Sequence, residues 1–485
     1  MTTSRSETAA AFEAVIASTR VIFPVALAVL VSTLLAACSL TPSGLKHEQA
    51  RLDEAGRPFE HKPDALPEPS SGSDWKTILQ RALLANGDLE GAYFEWKATV
   101  REVGAAAGWP NSNLALSYSY LFSGDNVKAF DRMTLSAGLD AMENLSFPTK
   151  TKQAGRNALE EARASGERFR AAKFALQRRV LTGWNELALA AEEERLALRR
   201  AELAGVRQGA TNAATGAGEA MADGVQASVT RTEADDGAAR AHADVLTARE
   251  ELAAMSALEP SARLPLPEYA ATMRPIPDDR TLLLAAVGAN AELAALEAGV
   301  RARQGAVDLA RLQWIPDINP LATFSGSAEQ MVGAMVVLPT TIAEIRGAIS
   351  KSRAMLAASK AMLVQARRDR AASFVSTLIA LRDAERQVRL LDGSILPALA
   401  TLASTRRSAY AVGISTIDDV IEIESMDIDA RMSRAQAIAA REIRAAELEE
   451  LAGVDLESIG AEHTARALTT TTPVLAHAAE EHSHE

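Results

Sequence analysis

Cysteine occurs once in the 485 residues, aromatic residues make up only 4%, and there is no basic surplus: 51 Lys and Arg stand against 63 Asp and Glu, a formal net charge of −12. A single cysteine rules out an intramolecular disulfide framework and any site built from several thiolates. The acidic balance speaks against a general nucleic-acid binder, which carries a basic excess on one face, so no nucleic acid is expected as a partner. Buried Val/Ile-rich strands and Gly-rich turns, which an ordinary α/β enzyme needs, are scarce. No catalytic constellation can be read, and neither enzymatic activity nor a cofactor is expected. What is abundant is alanine, roughly a fifth of the chain, within a hydrophobic fraction of 48%. Alanine gives up no side-chain entropy in a helix, so long, closely packed helices are predicted.

The one cysteine has an informative position. An apolar run of about seventeen residues from Val21 follows Arg20, which is short for a spanning helix and long enough for a signal-peptide core. It ends in Leu35-Ala36-Ala37-Cys38, which resembles the bacterial lipobox. That resemblance implies a signal peptide over 1–37, a diacylated N-terminal Cys38 and, through Ser39, sorting to the outer membrane. The alternative is a buried cysteine in a short anchor helix. Residues 38–73 then form a lipidated linker with Pro42, Pro58, Pro63, Pro67 and Pro69, closed by Ser70-Ser71-Gly72-Ser73. They are predicted to run as an extended, surface-hugging segment.

Beyond the linker the chain repeats itself at a spacing of roughly two hundred residues, an internal duplication that precedes any local reading. One copy opens at Trp75 and passes Asn86-Gly87-Asp88-Leu89; the other opens at Thr281 and passes Asn290-Ala291-Glu292-Leu293. Each continues as an Ala/Glu/Arg helix to a proline, Pro110 or Pro316, where a helix must stop. The period then becomes alternating. Leu114, Leu116, Tyr118, Tyr120 and Phe122 fall on one face and Ala115, Ser117 and Ser119 on the other. Met133, Leu135, Ala137 and Leu139 return opposite Thr134, Ser136, Gly138 and Asp140, with a turn at Gly124-Asp125-Asn126. In the second copy Ile318, Pro320, Ala322 and Phe324 alternate with Asn319, Thr323 and Ser325, and the partner strand runs from Gln330 to Leu338. Strands of this kind suit the wall of a membrane barrel; a pair of hairpins packed on soluble helices is the alternative.

Each hairpin closes at a proline, Pro148 or Pro339, and a very long helix follows, over Thr149–Arg207 and Thr341–Val412, the second broken or kinked at Gly393 and Pro397. Return helices are predicted over Val225–Leu258 and Ile417–Leu451. The copies therefore span 74–260 and 278–455, joined by a Pro-rich linker at 261–277 and followed by a His-containing tail at 456–485.

Helix, hairpin, long helix, tip and return helix, written twice, resembles the TolC family of outer-membrane efflux proteins over roughly residues 45–455. Tyr410, Gly413, Ser415, Asp418, Asp419 and Val420 fall in the order of that family's tip signature. The resemblance implies a mainly α fold of long coiled helical hairpins with four strands per protomer. It implies that three protomers complete a membrane β-barrel and a periplasmic helical tunnel. It also implies outer-membrane lipid around the barrel, and a periplasmic adaptor and an inner-membrane pump as partners. Tip and adaptor contacts are expected at Gly209, Gly413, Ser415, Asp418 and Asp419. After Gly209 a glycine-spaced insertion at 210–224 departs from the family pattern and puts that tip's contact in doubt. Asp418 and Asp419 would form cation-attracting rings in a trimer or cap the return helix.

The expected function is passive conduction of substrate from periplasm to outside, the substrate being heavy-metal cations or small organic compounds. The rival is a periplasmic coiled-coil scaffold or adaptor lipoprotein. His477, His482 and His484 could hold Zn, Cu or Ni loosely, although a solvated tail is the simpler reading.

Overall fold

The computed structural model describes residues 40–61, 65–69, 74–108, 114–122, 133–139, 146–214, 220–260, 264–267, 273–325, 329–338 and 340–456. The signal segment, Cys38, both hairpin turns, the stretch 215–219 and the histidines after 462 lie outside these residues. Helix α1 spans Leu45–Glu60, α2 Trp75–Ala85 and α3 Gly87–Ala106, followed by strands β1 (Leu114–Tyr120) and β2 (Met133–Leu139). The long helix α4 covers Pro148–Ala214 and α5 returns over Ala220–Met255. The same order recurs as α6 (Asp279–Ala289), α7 (Ala291–Leu312), β3 (Asp317–Ser325), β4 (Glu329–Val337), α8 (Ile342–Leu390), a π-helical turn (Leu391–Ile395), α9 (Leu396–Ala411) and α10 (Ile417–Ala452).

Helix α1 corrects the expectation of an extended linker. Its buried face is Leu45, Glu48, Leu52, Gly56 and Phe59, a helical spacing hidden from a hydropathy reading because two of its five members are a carboxylate and a glycine. Glu48 is buried because it accepts from Trp96 Nε1 at 3.0 Å and pairs with Arg51 at 3.1 Å. Gly56 is required because a Cβ there would lie 2.1 Å from the Tyr93 hydroxyl. Pro58 sits in the last turn, where the helix tolerates its missing N–H and still closes with His61 N–H on Arg57 O at 3.1 Å.

By internal packing the chain divides into two compact units. The first comprises Met1–Glu54, Glu95–Gly166 and Ala295–Leu363, and the four strands belong to it. They form one antiparallel sheet in the order β1-β2-β3-β4. Its register sets Ser117 against Ser136, Tyr118 against Leu135, and Leu135 against Phe324. At the base of this unit Lys150 pairs with Asp317 at 2.8 Å, and Gln153 donates to the Gly305 carbonyl at 3.3 Å.

The second unit takes Ala55–Phe94, Glu167–Ala294 and Val364–Glu485. Its main apolar cluster joins Leu282 of α6, Phe374, Leu378 and Leu381 of α8, and Ala445, Leu448 and Leu451 of α10. A second cluster stacks Phe59 on Tyr93 at 5.1 Å and sets Phe169 edge-on to both. The sequence-repeat asparagines do matching work. Asn86 accepts from Asp88 N–H and Leu89 N–H, starting α3, while its amide donates to the Met255 carbonyl at the end of α5. Asn290 accepts from Leu293 N–H, starting α7, and donates to the Leu451 carbonyl of α10 at 2.7 Å. The aspartates that begin α2 and α6, Asp74 and Asp278, are side-chain caps.

The first long helix runs past its predicted end at Arg207, and its return helix begins before Val225. Gly209 lies inside α4, which continues to Ala214, and α5 already begins at Ala220, so much of the 210–224 insertion lengthens helices instead of making a loop. Alanine there favours the helix, and the Thr211 hydroxyl is satisfied within it by donating to Arg207 O, four residues back. Gly393 and Pro397 do interrupt α8 and α9, as a single π turn.

Candidate functional site

Two features stand out as candidate sites: the sheet, and the tip between α9 and α10. On the sheet, Tyr118 and Leu135 share one face and are 61% and 48% exposed. The opposite face carries the Ser117 and Ser136 hydroxyls, hydrogen-bonded at 2.5 Å. β4 breaks this simple division. Met331 and Met335 are exposed on the hydroxyl-bearing face, and Val336 is exposed on the other. β1 and β4 are both edge strands of the protomer's sheet. Among the described residues no helix is long and apolar enough to cross a membrane.

At the tip, α9 ends in a left-handed glycine. Gly413 has φ +77°, its N–H donates to Tyr410 O at 3.0 Å, and Ile414 N–H donates to Ala409 O at 2.9 Å. This pair of bonds is the Schellman closure, which requires positive φ at one residue and so selects glycine. Around it Tyr410, Val412 and Ile414 are exposed, Ile414 by 83%. The chain then turns into α10 through a capping box: Thr416 Oγ1 accepts from Asp419 N–H at 3.2 Å, and Asp419 Oδ2 accepts from Thr416 N–H at 2.8 Å. Ser415 Oγ donates to the same carboxylate oxygen at 2.9 Å. These bonds, led by the one from Thr416 N–H, hold the Asp419 carboxyl below the usual aspartate range.

Asp418 has a partner on another helix. Its Oδ1 lies 3.1 Å from Arg207 Nε of α4. Further along α10, Glu424 pairs with Arg407 and lies 3.8 Å from Arg199, and Asp429 pairs with Arg200. The two aspartates read as a candidate ring are therefore both engaged within the protomer, one in a cap and one in a cross-helix pair. Gly413, Ser415, Asp418 and Asp419 come together at this tip; Gly209 sits within α4. Sequence reasoning does not find the α4 arginines, Arg199, Arg200 and Arg207, because their partners lie more than two hundred residues away in sequence. The local signal is the heptad spacing of Arg200 and Arg207 along one helix.

No group of three or more His, Cys, Asp or Glu among the described residues could hold a metal ion.

Comparison by sequence finds no matching family model and no matching curated protein. Comparison by structure defines the class: this is the fold of the TolC-like outer-membrane channels. Among solved structures, the outer membrane protein VceC of Vibrio cholerae superposes with a TM-score of 0.63 at 15% identity, covering 80% of this chain and 100% of that one. The Campylobacter jejuni CmeC outer membrane channel gives 0.63 at 13% identity, covering 83% and 93%. The open state of the Neisseria gonorrhoeae MtrE outer membrane channel gives 0.61 at 17% identity, covering 82% and 96%.

Proposed function

We propose that this chain is the outer-membrane channel of a tripartite efflux system, passively conducting heavy-metal cations or small organic compounds from periplasm to outside. The observation that carries this reading is the four-stranded sheet, with Tyr118 and Leu135 exposed on one face and hydroxyls on the other. Four strands cannot close, and open sheet edges are not tolerated in lipid. Three protomers would join β1 to β4 and complete a twelve-stranded barrel, with 74–260 and 278–455 as its two quasi-equivalent halves. The long helices would line a periplasmic tunnel. An inner-membrane pump would supply the energy, and an adaptor would meet the exposed Tyr410, Val412 and Ile414 at the tip.

Reconstitution tests this directly. The detergent-extracted protein should run as a trimer and give discrete conductance steps in a planar bilayer. Cysteines placed at Ser117 or Ser136 should react with an aqueous thiol reagent, whereas those at Tyr118 or Leu135 should be shielded. Equal reactivity on both faces would return the hairpins to water and favour a scaffold.

Lipid anchorage at Cys38 has its own support. Leu40, two residues further on, donates its N–H to Ala107 O at 3.2 Å, at the end of the helix that precedes β1. Acyl chains on Cys38 would then enter the bilayer beside the barrel. A palmitate analogue should label the wild type and leave Cys38→Ala unlabelled; continued labelling of the variant would disprove the anchor.

A further inference from the structure

In the first unit the sheet ends and the long helices begin at one level. Asp317, which opens β3, is registered with Val337 at the end of β4 and pairs with Lys150 in the first turn of α4 at 2.8 Å. Four large apolar side chains stand out around this level: Phe147 before α4, Trp314 after α7, and Leu338 and Ile342 where β4 passes into α8. They are between 38% and 68% exposed. Aromatic and aliphatic groups in such a band, an indole among them, suit the boundary between hydrocarbon and water.

Cations follow directly. Residues 148–156 of α4 and 342–353 of α8 hold six Lys and Arg against one acid, Glu344, in a chain whose net charge is −12. Lys150 is taken by Asp317. Lys152, Arg156, Arg346 and Arg353 are exposed, and among the described residues none of the four has a hydrogen-bond or ion-pair partner. Lys152 and Arg156 are one turn apart on α4, while Ile342, Arg346 and Arg353 fall on one stripe of α8. At 1.5 Å per residue Lys152 and Arg346 lie about 6 Å from the starts of their helices, Arg156 about 12 Å and Arg353 about 16 Å. Side chains on an α-helix lean toward its N-terminus, which here is the sheet end, so the lower pair reaches back toward the apolar band. The N-terminal segment arrives at the same level. Leu40, two residues after Cys38, donates to Ala107 O at 3.2 Å, and Ala107 lies against Gly155, where a Cβ would come within 2.7 Å of the alanine Cβ. Arg156 is the next residue, so acyl chains on Cys38 would start beside these cations.

We propose that Lys152, Arg156, Arg346 and Arg353 form a collar that binds the phosphates of anionic phospholipids in the periplasmic leaflet, with the apolar band seated at the edge of the hydrocarbon. The collar rests on the membrane reading of the sheet given above and adds to it a preference among lipids. A zwitterionic headgroup offsets its phosphate with its own ammonium. An anionic headgroup leaves that charge to the protein, and guanidinium groups grip phosphate through two parallel N–H bonds.

The test is binding of fluorescent phosphatidylglycerol and phosphatidylcholine, with identical acyl chains, to the full-length protein in detergent micelles. The wild type should bind phosphatidylglycerol about tenfold tighter or more. Lys152→Gln, Arg156→Gln, Arg346→Gln and Arg353→Gln should each weaken it by about two- to fivefold, and the quadruple variant should bind both lipids alike. Arg346→Lys should keep most of the preference, and raising ionic strength should erase it in the wild type. Trp314→Ala should weaken both lipids equally, because its contribution does not depend on the headgroup. Lys173→Gln and Arg280→Gln, which remove exposed cations elsewhere, should change neither affinity. Equal affinity of the wild type for the two lipids, an unchanged preference in the quadruple variant, or displacement of the lipid by soluble glycerol phosphate would overturn the collar and leave the membrane reading standing. A wild type that binds neither lipid and stays in solution without detergent would overturn the membrane reading and the collar with it.

Discussion

Arg274→Met should destabilise the protein by about 3–5 kcal/mol, because it strands the buried Glu449 carboxylate, while Glu442 keeps only Arg441. Arg274 lies in the linker between the two copies and is only 8% exposed. Its Nε donates to Glu442 Oε2 at 3.1 Å and its Nη1 to Glu449 Oε1 at 3.0 Å, while its guanidinium lies 5.5 Å from the centre of the Trp75 ring. Arg441 Nη2 returns a bond to the Arg274 carbonyl at 2.8 Å, so the linker is held by side chain and backbone together. Glu449 also accepts from Leu456 N–H at 3.2 Å and from Gln177, which bonds Asp455 at 2.7 Å as well.

The pH dependence of that loss distinguishes charge from packing. Burial pushes the Glu449 carboxyl above its ordinary value of 4.5, and Arg274 opposes the rise. A carboxyl whose folded value is raised makes its full contribution to stability below the unfolded value and loses it as pH rises through the folded one. Without Arg274 the opposition is gone, Glu449 moves further up, and the ionised form is the one that suffers. Urea denaturation of the detergent-solubilised variant should show the full deficit at pH 8 and a smaller one at pH 5. A deficit equal at both values would assign the loss to packing. Arg274→Met with Glu449→Leu should recover part of the stability at either pH, because the stranded charge is gone.

On the proposed channel function, Gly413→Leu should abolish efflux while leaving trimer assembly and outer-membrane location intact. At φ +77° a Cβ carries a backbone penalty of roughly 1–2 kcal/mol, small beside a helix pair of this length. A Cβ at Gly413 would meet no protein atom within 4 Å, so the folded protomer itself has room. Alanine bears the same backbone penalty without the bulk. Gly413→Ala should therefore retain part of the efflux and Gly413→Leu none, measured as export of a fluorescent substrate by cells lacking their own channel, with trimer levels checked alongside. Equal loss in both would trace the defect to the Schellman turn. Unchanged efflux in the leucine variant would remove the adaptor contact from this position.

The sequence by itself determined the order of the duplicated elements after the linker. Alternation identifies β1 through β4 to within a residue or two, because a half-buried strand shows period 2 in its own residues. Prolines and alanine-rich runs mark where long helices begin, and Gly413 with Ser415 and Asp419 announces a turn whose closing bonds are all local. Tertiary structure decided everything that depends on a distant partner. Helix α1 folds because Trp96 and Tyr93 receive Glu48 and Gly56, and no pattern within 45–60 reveals that. Arg274 reads as one more linker charge until Glu442 and Glu449 of α10 enclose it. Asp418 reads as a ring carboxylate or a helix cap until Arg207 of α4 meets it. Local bonding leaves its trace in neighbouring residues, whereas a buried charge is stable only beside a partner that the chain brings from far away.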